Sequence, residues 1–396
     1  MLRRRIARGT ALAACACLFA SIRPAAAQVH RLDDGLARTP PMGWNTWNKF
    51  GCDVSETLIE QTADALVSSG MRDAGYRYLV IDDCWQVARD STGTIVPDPQ
   101  RFPNGMKAVA DYVHGKGLLF GIYTDAGTKT CQGRPGTFDH EVQDARTYAS
   151  WGVDYVKEDW CNARGLDAPT QYRKFHDALV ATGRPIVLSI CEWGSNHPWE
   201  WAAGIGHLWR TTGDIDDSWK SMLANLDASA VHQAVAGPGG WNDPDMLEVG
   251  NGGMTDDEYR AHLSLWAIVA APLIAGNDVR TMSDATREIL TNREVIAVDQ
   301  DSLGVEGWMV RQVTPGLQVW AKPLAGGRRA VALLNRTDAA ATIAVEWQDL
   351  GLARGVRGRV RDLWAHAERG ARSGGYEVKV PSHGVVLVTI TPVHGR

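Results

Sequence analysis

The feature that most constrains the fold is an alternation of short apolar runs with helical stretches, which extends from about residue 40 to residue 275. Runs rich in Val, Ile and Leu that alternate with amphipathic segments are typical of βα units around a parallel sheet. The predicted strands are residues 42–47, 78–82, 118–124, 155–159, 185–191 and 208–214, with weaker candidates near Val235 and Ile274. Eight such units predict an α/β fold, a closed (β/α)8 TIM barrel.

The chain changes character after about Val305. Residues 317–321, 330–335, 341–347, 360–364 and 378–390 are strand-like, and no long helical period separates them. Strands that follow one another without helices are typical of antiparallel sheets. We therefore predict a barrel domain over residues 28–305 and a C-terminal antiparallel β-sandwich domain over residues 306–396. Because no Pro/Ser-rich linker joins them, we expect the two domains to pack directly.

The first 27 residues have the layout of a secretory signal peptide. Four arginines among the first eight residues precede an apolar stretch over 11–22, which is too short to span a bilayer, and small residues end the segment at Ala27. A lipoprotein signal with Cys15 as the modified residue is the alternative, but its apolar segment would be short. We expect a mature protein that is secreted or periplasmic, and no later segment approaches the length needed to enter a membrane.

Charge and motifs exclude several classes of function. The formal net charge is −5 and no Lys/Arg-rich run follows the leader, so nucleic acid is not expected as a partner. The chain has no H-E-x-x-H helix, G-x-S-x-G elbow or G-x-x-x-x-G-K loop. The acidic run from Asp214 has Trp219 and Asn225 where a calcium loop has Gly and Glu. We predict no metal and no cofactor, and the sequence specifies no oligomeric state.

The cysteines indicate disulfides. Those that follow the predicted cleavage site are at positions 52, 84, 131, 161 and 191. In an exported protein, two disulfides and one buried thiol are the simplest arrangement for an odd number. The spacing alone is compatible with several pairings.

Polar residues cluster where the predicted barrel strands end. A TIM barrel builds its active site at this edge, from the loops that follow the strands. A single acid there is commonly a helix N-cap or a solvated loop residue, but six clusters on one rim favour a functional site. The clusters are Asp82-Asp83, Tyr123 with Asp125, Lys157 to Asp159, Glu192-Trp193, Arg210 to Asp214, and Trp241 to Asp245.

Two aspartates of these clusters have the features of a catalytic pair. Side chains alternate along a strand, so Lys157 and Asp159 point to the same side, and the ammonium favours the ionised form of Asp159 that a nucleophile needs. Arg210 on the same predicted face also favours ionisation of Asp214, so a protonated Asp214 would need burial or a neighbouring acid. Two carboxylates with different proton affinities across a cleft can cleave a glycosidic bond.

Tryptophans accompany the polar clusters. A sugar ring offers apolar C–H faces to an indole, while its hydroxyls bond to carboxylates and amides. Packing in the core is the commoner role for any single tryptophan, but together they indicate a small polar pocket with aromatic walls. They are Trp44, Trp47, Trp85, Trp160, Trp193 and Trp241.

Six longer segments carry a resemblance to a known family. They are TPPMGWNTW at 39–47, IDDCW at 81–85, DYVKEDWC at 154–161, CEW at 191–193, WRTTGDIDDSW at 209–219 and GPGGWNDPDM at 237–246. In this order, and followed by a β domain, the chain resembles the α-galactosidases (melibiases) of glycoside hydrolase family 27. The resemblance extends from about Leu36 to the C terminus.

The resemblance implies a retaining, exo-acting α-galactosidase that removes terminal α-D-galactosyl residues from oligosaccharides, polysaccharide side chains or glycoconjugates by double displacement, without a cofactor. Asp159 matches the family's nucleophile and Asp214 its general acid/base. The implied disulfides are Cys52–Cys84 and Cys131–Cys161. The positions that match the family's galactose-binding residues are Trp47, Asp82, Asp83, Tyr123, Lys157, Glu192, Arg210 and Asp245.

Two positions bear on the choice of substrate. Relatives that act on N-acetylgalactosamine have a small residue where this chain has Glu192, which would fill the space of an acetamido group at C2. The Asp82-Asp83 pair suits the axial O4 and the O6 of galactose. Activity on β-L-arabinopyranosides, which lack O6, stays open as a second activity. The rival hypothesis is a galactose-binding protein without catalytic activity. Such a protein is expected to lack one of the two catalytic carboxylates, but Asp159 and Asp214 are both present.

Overall fold

The computed structural model describes residues 30–353 and 355–393. The predicted signal peptide, residues 1–27, lies outside the described residues. Within the described ranges, no helix combines the length and the apolar character that are needed to cross a bilayer.

Eight parallel strands form one sheet that curls into a barrel, which confirms the predicted fold class. They are β1 (Met42–Asn45), β2 (Tyr78–Ile81), β3 (Leu119–Asp125), β4 (Tyr155–Asp159), β5 (Val187–Cys191), β6 (Leu208–Arg210), β7 (Trp241–Asp243) and β8 (Leu273–Ala275). The order of the strands is β8-β1-β2-β3-β4-β5-β6-β7. A parallel bridge between Leu247 and Ala275 joins the segment after β7 to β8 and brings the two edges of the sheet together. A hairpin of Gln86–Arg89 and Ile95–Pro97 lies outside the barrel.

Helices surround the sheet, and most of them bury an apolar face. They are α1 (Trp47–Phe50), α2 (Glu56–Ser68), α3 (Met71–Ala74), α4 (Gly105–Gly115), α5 (Glu141–Trp151), α6 (Ala168–Val180), α7 (Trp219–Ser229), α8 (Asp256–Ile268), α9 (Asp284–Leu290) and α10 (Arg293–Asp299), with 3₁₀ turns at Pro198–Glu200 and Ala230–His232. Side-chain N-caps begin several of them; Thr255 and Glu258 form a reciprocal capping box at α8. Met106, Val109 and Val113 show the helical spacing of a buried face on α4.

Two of the predicted barrel strands differ from the observed ones by more than two residues. The seventh strand is Trp241–Asp243 rather than a segment near Val235, because residues 237–240 form a tight turn in which Gly239 has φ +89°. The sixth strand ends at Arg210, so Asp214 lies in the following loop. The prediction that Arg210 and Asp214 share a strand face is therefore wrong, although the loop returns the two side chains to each other.

The second domain is an antiparallel β-sandwich. Its strands are β9 (Trp308–Thr314), β10 (Leu317–Pro323), β11 (Arg329–Asn335), β12 (Ala341–Glu346), β13 (Arg357–Asp362), β14 (Ala367–Ser373), β15 (Gly375–Val380) and β16 (Gly384–Val393), with 3₁₀ turns at Ala325–Gly327 and Trp347–Leu350. A six-stranded sheet has the order β9-β10-β11-β16-β13-β14, and β12 pairs with β15. Val331, Val345 and Trp347 lie in the core between these sheets.

The two domains pack directly, as the missing linker predicts. Lys322 of β10 is buried, and its Nζ donates to the carbonyl oxygens of Ala267 (3.1 Å) and Asp299 (3.2 Å) in the barrel domain. The carboxyl groups of Asp299 and Glu306 are the acidic neighbours of this ammonium. The interface therefore contains a buried charged cluster as well as apolar contacts.

The register of the barrel strands brings the site residues to one level. Asp159 at the end of β4 lies opposite Asp125 of β3 and Cys191 of β5. Because the strands are parallel, their carboxyl ends meet at the same rim of the barrel. The loops that follow β2 to β7 therefore converge around the end of β4.

Candidate active site

A cavity of about 300 Å³ opens at the carboxyl ends of the barrel strands. This volume is at the lower end of the range for small-molecule sites and suits a single sugar ring. All of the predicted site residues line it except Glu192. The lining residues are Trp47, Asn48, Asp82, Asp83, Tyr123, Cys131, Gln132, Lys157, Asp159, Cys161, Trp193, Arg210, Asp214, Asp245 and Met246.

Asp159 is buried in the wall of this cavity. Its Oδ2 accepts a hydrogen bond of 2.8 Å from the Tyr123 hydroxyl, whereas its Oδ1 has no hydrogen-bond partner among the described residues. Burial raises the pKa of the Asp159 carboxyl to about 6, against the opposing effect of Lys157. One carboxylate oxygen is thus held in place while the other is free to react.

Lys157 lies between Asp159 and the Asp82-Asp83 pair. Its Nζ lies 2.9 Å from Asp82 Oδ2, which also accepts a hydrogen bond of 2.8 Å from Asn45 Nδ2. Burial favours the neutral amine, but the charges of Asp82 and Asp159 raise the pKa of Lys157 overall. The ammonium therefore stays charged between two carboxylates.

Asp83 is held by backbone groups. Its Oδ1 accepts from the Cys84 N–H at 2.6 Å and its Oδ2 accepts from the Gln132 N–H at 3.0 Å. Burial raises the pKa of this carboxyl, and these hydrogen bonds oppose the shift. The side chain is therefore fixed at the cavity wall before any ligand binds.

Asp214 lies at the open side of the cavity, next to Arg210. Arg210 Nη2 donates to Asp214 Oδ1 at 2.9 Å and lies 2.8 Å from Asp245 Oδ2, so one guanidinium joins two acids. The Asp214 side chain is 64% exposed. Burial acts to raise its pKa, but Arg210 and Lys157, with hydrogen bonds from Arg210 and Trp193, lower it below the usual value.

The pH dependence of kcat/KM follows from these two shifts. A nucleophile must be ionised and an acid protonated, so the productive pair carries one proton. With the pKa of Asp159 at about 6 and that of Asp214 below its usual value, the pair holds one proton only in the acidic range between them. We expect a bell-shaped profile of kcat/KM that declines above about pH 6, when the remaining proton is lost, and again at low pH, when both groups are protonated. Initial rates from pH 3 to 9 check this, and a plateau through neutral pH would contradict it.

Glu192 is the predicted residue that the structure does not bring to the cavity. Its side chain is fully buried behind the wall, where Oε2 accepts from the N–H and the amide of Asn196 at 2.5 and 2.7 Å. These donors hold Oε2 within its own loop, whereas Oε1 has no hydrogen-bond partner among the described residues. At this loop the cavity is lined by Trp193. That Glu192 fills the space of an acetamido group stays a prediction.

Core packing explains most of the tryptophans. Trp44, Trp85 and Trp241 are fully buried, and Trp160 stacks on Tyr172. The ones that line the cavity are Trp47 and Trp193. Sequence reasoning missed Asn48, Gln132 and Met246 as wall residues. The first and last of these directly follow predicted residues, whereas nothing in the sequence indicated Gln132.

Two disulfides are formed, Cys52–Cys84 and Cys131–Cys161, and Cys191 is a buried free thiol. The second disulfide lines the cavity, with Cys131 Sγ 3.5 Å from the Tyr123 hydroxyl oxygen. Among the described residues, the group that comes within metal-binding reach is Asp125 with Cys131 and Cys161. Because these two sulfurs are bonded to each other, they offer no thiolate ligands.

Replacing both Cys131 and Cys161 by Ser is expected to lower the free energy of unfolding by about 2–5 kcal/mol and also to lower activity, since this disulfide shapes the cavity. The comparison variant replaces Cys52 and Cys84, which enclose a segment of similar length (sequence separations of 30 and 32) and do not themselves line the cavity. The Cys84 N–H that donates to Asp83 is kept in it. This variant should lose similar stability but less activity. Calorimetric unfolding and kcat at a temperature where both variants are folded test this, and equal losses of activity would contradict it.

Comparisons with known proteins match both domains of the chain. The family model described as alpha galactosidase A matches residues 39–301, and the model of the alpha galactosidase C-terminal beta sandwich domain matches residues 314–390. The chain is 51% identical over 362 residues to an alpha-galactosidase of Cyamopsis tetragonoloba (91% of this chain, 88% of the relative). It is 50% identical over 379 residues to alpha-galactosidase A of Cellvibrio japonicus (90% of this chain, 93% of the relative).

Solved structures show the same architecture. Alpha-galactosidase I of Mortierella vinacea superposes with a TM-score of 0.88 at 40% identity, covering 91% of this chain and 98% of the other. The alpha-galactosidase of Saccharomyces cerevisiae, solved with raffinose, superposes with a TM-score of 0.87 at 33% identity, covering 91% and 99%.

Proposed function

We infer from the site that this chain, which belongs to glycoside hydrolase family 27 and is an alpha-galactosidase, releases terminal α-D-galactosyl residues by a retaining double displacement. The observation that carries the inference is the placement of Asp159 and Asp214 on the wall of one cavity of the size of a sugar ring. Two carboxyl groups that flank a scissile bond are what retaining glycosidases use.

The first displacement uses both carboxyl groups. Asp159 Oδ1, which has no hydrogen-bond partner in the described part of the chain, attacks the anomeric carbon from the β face and forms a glycosyl ester. The bond to the leaving oxygen breaks, and that oxygen takes the proton of Asp214. Asp214 then removes a proton from water, which attacks the anomeric carbon from the α face. The bond between this carbon and Asp159 breaks, so galactose leaves with its α configuration and the Asp159 carboxylate is restored.

The remaining wall residues bind and orient the sugar. Asp82 and Asp83 supply acceptors for the galactose O4 and O6 hydroxyls, and Lys157 and Arg210 supply charged donors. The Trp47 indole offers an apolar face to the ring. The proposed steps use side chains and water alone.

A second cavity extends from the first on the side of Asp214 and receives the leaving group. Its volume is about 790 Å³, and it shares Trp47, Asn48 and Asp214 with the sugar-binding cavity. The acid that protonates the leaving oxygen must lie between the two parts of the substrate. Asp214 lines both cavities, which supports this role. We propose oligosaccharides, polysaccharide side chains or glycoconjugates with a terminal α-galactosyl residue as substrates.

The stereochemistry of the first product tests the mechanism. With p-nitrophenyl α-galactoside in D₂O, ¹H NMR should show α-galactose before mutarotation, and an initial β anomer would refute retention. The values of kcat/KM on the N-acetylgalactosaminide, the glucoside and the β-L-arabinopyranoside test the substrate. A higher value on any of these than on the galactoside would refute the preference for galactose.

We also propose that the mature protein acts outside the cytoplasm, in the periplasm or the medium. Both disulfides support this location, since such bonds persist in oxidising compartments. Activity measured in cell fractions should follow periplasmic or extracellular markers.

A further inference from the structure

We propose that Trp193 is a positioning residue for the acid/base Asp214, and that Glu192 serves the same purpose by holding the loop that carries Trp193. This inference rests on the role of Asp214 proposed above. The 192–197 loop, residues 192 to 197, follows β5 and borders the cavity. The sequence predicts that Glu192 contacts the substrate. In this proposal, Glu192 affects the reaction by holding the loop that positions Trp193.

Two donors converge on one oxygen of Asp214. Trp193 Nε1 donates to Oδ1 at 3.1 Å, and Arg210 Nη2 donates to the same oxygen at 2.9 Å. Oδ2 has no hydrogen bond from any described residue. An exposed aspartate would otherwise sample several rotamers. The two donors therefore fix the carboxyl group with Oδ2 as the oxygen that carries the catalytic proton.

The backbone at Trp193 has a conformation that this residue type rarely adopts. Its φ is +56°, in the left-handed region, and His197 in the same loop has φ +57°. For a bulky residue this conformation is unfavourable, and it persists only where surrounding contacts hold it. The 192–197 loop must therefore be anchored to keep the indole N–H directed at Asp214.

Glu192 and Asn196 provide the anchor. The Glu192 carboxylate accepts both donors of Asn196, and the Glu192 carbonyl accepts from the Ser195 N–H at 3.0 Å. Trp201 Nε1 donates to the Asn196 carbonyl at 2.8 Å and so ties the end of the loop to the following turn. Both Asn196 donors meet Oε2, while Oε1 has no hydrogen-bond partner among the described residues. Hydrogen bonds to an ionised carboxyl group are strong, so the Oε2 contact can hold the loop.

Close packing sets the position of the loop relative to Asp214. A Cβ added to Gly194 would lie 2.7 Å from the Thr211 carbonyl oxygen, so only glycine fits there. Thr211 directly precedes the segment that leads to Asp214. The 192–197 loop and the loop after β6 are thus in contact next to the indole–carboxylate hydrogen bond.

The test is a Trp193→Phe variant, which keeps an aromatic wall and removes the indole N–H. A misplaced acid slows the departure of poor leaving groups, whereas good leaving groups depart without a proton. On a series of aryl α-galactosides, kcat/KM should fall about tenfold or more for the poorest leaving group, the size of one hydrogen bond to a charged group, and little for the best. Trp308→Phe, in β9 of the β-sandwich and outside the cavity lining, makes the same substitution away from the site; it is the control and should not change the dependence.

Asp214→Asn supplies the reference for this test. If it shows no leaving-group dependence, the proposed role of Asp214 fails. If it does, and Trp193→Phe loses activity equally for all leaving groups, the positioning role of Trp193 is overturned while the role of Asp214 stands.

Variants of the anchor separate the two roles considered for Glu192. Glu192→Ala and Asn196→Ala should both give the leaving-group dependence of Trp193→Phe, and Glu192→Gln, which keeps an acceptor oxygen, should partly restore the wild-type pattern. A loss in Glu192→Ala that is absent on 2-deoxygalactosides, with Asn196→Ala unaffected, would show that Glu192 contacts the substrate and would overturn the anchoring role. If Glu192→Ala does not fold, Asn196→Ala removes the same contact from its other partner. An unchanged leaving-group dependence of kcat/KM in Asn196→Ala would then overturn the anchoring role.

Discussion

Asp159→Asn is expected to lower kcat on galactosides by about 10⁴-fold or more, because no other group can form the covalent intermediate. The amide keeps the shape of the side chain and can still accept the hydrogen bond from Tyr123. Burial raises the pKa of Asp159 to about 6, so its ionisation destabilises the folded protein once the pH rises through that value. The variant should therefore unfold at a higher temperature than wild type at pH 7, which separates lost chemistry from lost folding.

Rescue by azide identifies the role of Asp159. In Asp159→Gly the anion can occupy the vacated space and attack the anomeric carbon from the β face. An aryl galactoside with a good leaving group should then give β-galactosyl azide, the inverted product. Recovery of the α azide, or a variant with near wild-type activity, would show that Asp159 is not the nucleophile.

Asp214→Asn is expected to have the second largest effect, and its size should depend on the substrate. General acid/base catalysis contributes about 10²–10⁴-fold, so oligosaccharides with poor leaving groups should lose activity in this range. Aryl galactosides with good leaving groups should still form the covalent intermediate. Its hydrolysis should then become slow, and a burst of released aglycone should precede a low steady-state rate.

Azide also tests the role of Asp214, with the opposite stereochemistry. In Asp214→Gly the anion should attack the covalent intermediate from the α face and give α-galactosyl azide. The two glycine variants are therefore controls for each other. If their products were exchanged, the roles of the two aspartates would be exchanged as well.

In the free site, the surroundings of the two carboxyl groups favour a proton on Asp159 rather than on Asp214. The proposed mechanism needs the reverse. Burial raises the pKa of Asp159, while Arg210 and Lys157 outweigh burial at the more exposed Asp214. A bound sugar places a polar ring beside Asp159 and removes water from Asp214, whose charge then becomes less favourable. Substrate binding would thus help move the shared proton to Asp214.

The barrel and most of the site could be predicted because both leave local patterns. Short apolar stretches mark β2 to β5, and the polar residues at their ends must lie on one rim in a parallel barrel. The position of β7 could not be predicted from apolar character, since its three residues, Trp241–Asp243, include two polar ones. Strands β9 and β14 were missed because their side chains are mostly exposed and show no apolar alternation.

The orientation of the Glu192 side chain could not be predicted from the sequence for a different reason. A sequence motif places this residue at the rim, but the direction of its carboxylate depends on donors in its own loop. The contact between Arg210 and Asp214 likewise depends on the path of a loop rather than on strand alternation. Such contacts follow from the three-dimensional course of the chain, which spacing along the sequence does not determine.

The ammonium of Lys322 in the β-sandwich is buried against the barrel domain. The barrel therefore needs the β-sandwich domain to fold stably. A barrel produced without residues 306–393 would leave the Asp299 carboxyl group next to a newly wetted apolar face with no cation beside it. A protein truncated in this way is expected to aggregate, even though it keeps every residue that lines the sugar-binding cavity. Fusion partners and surface charges are better added to the far side of the sandwich, which does not face the barrel.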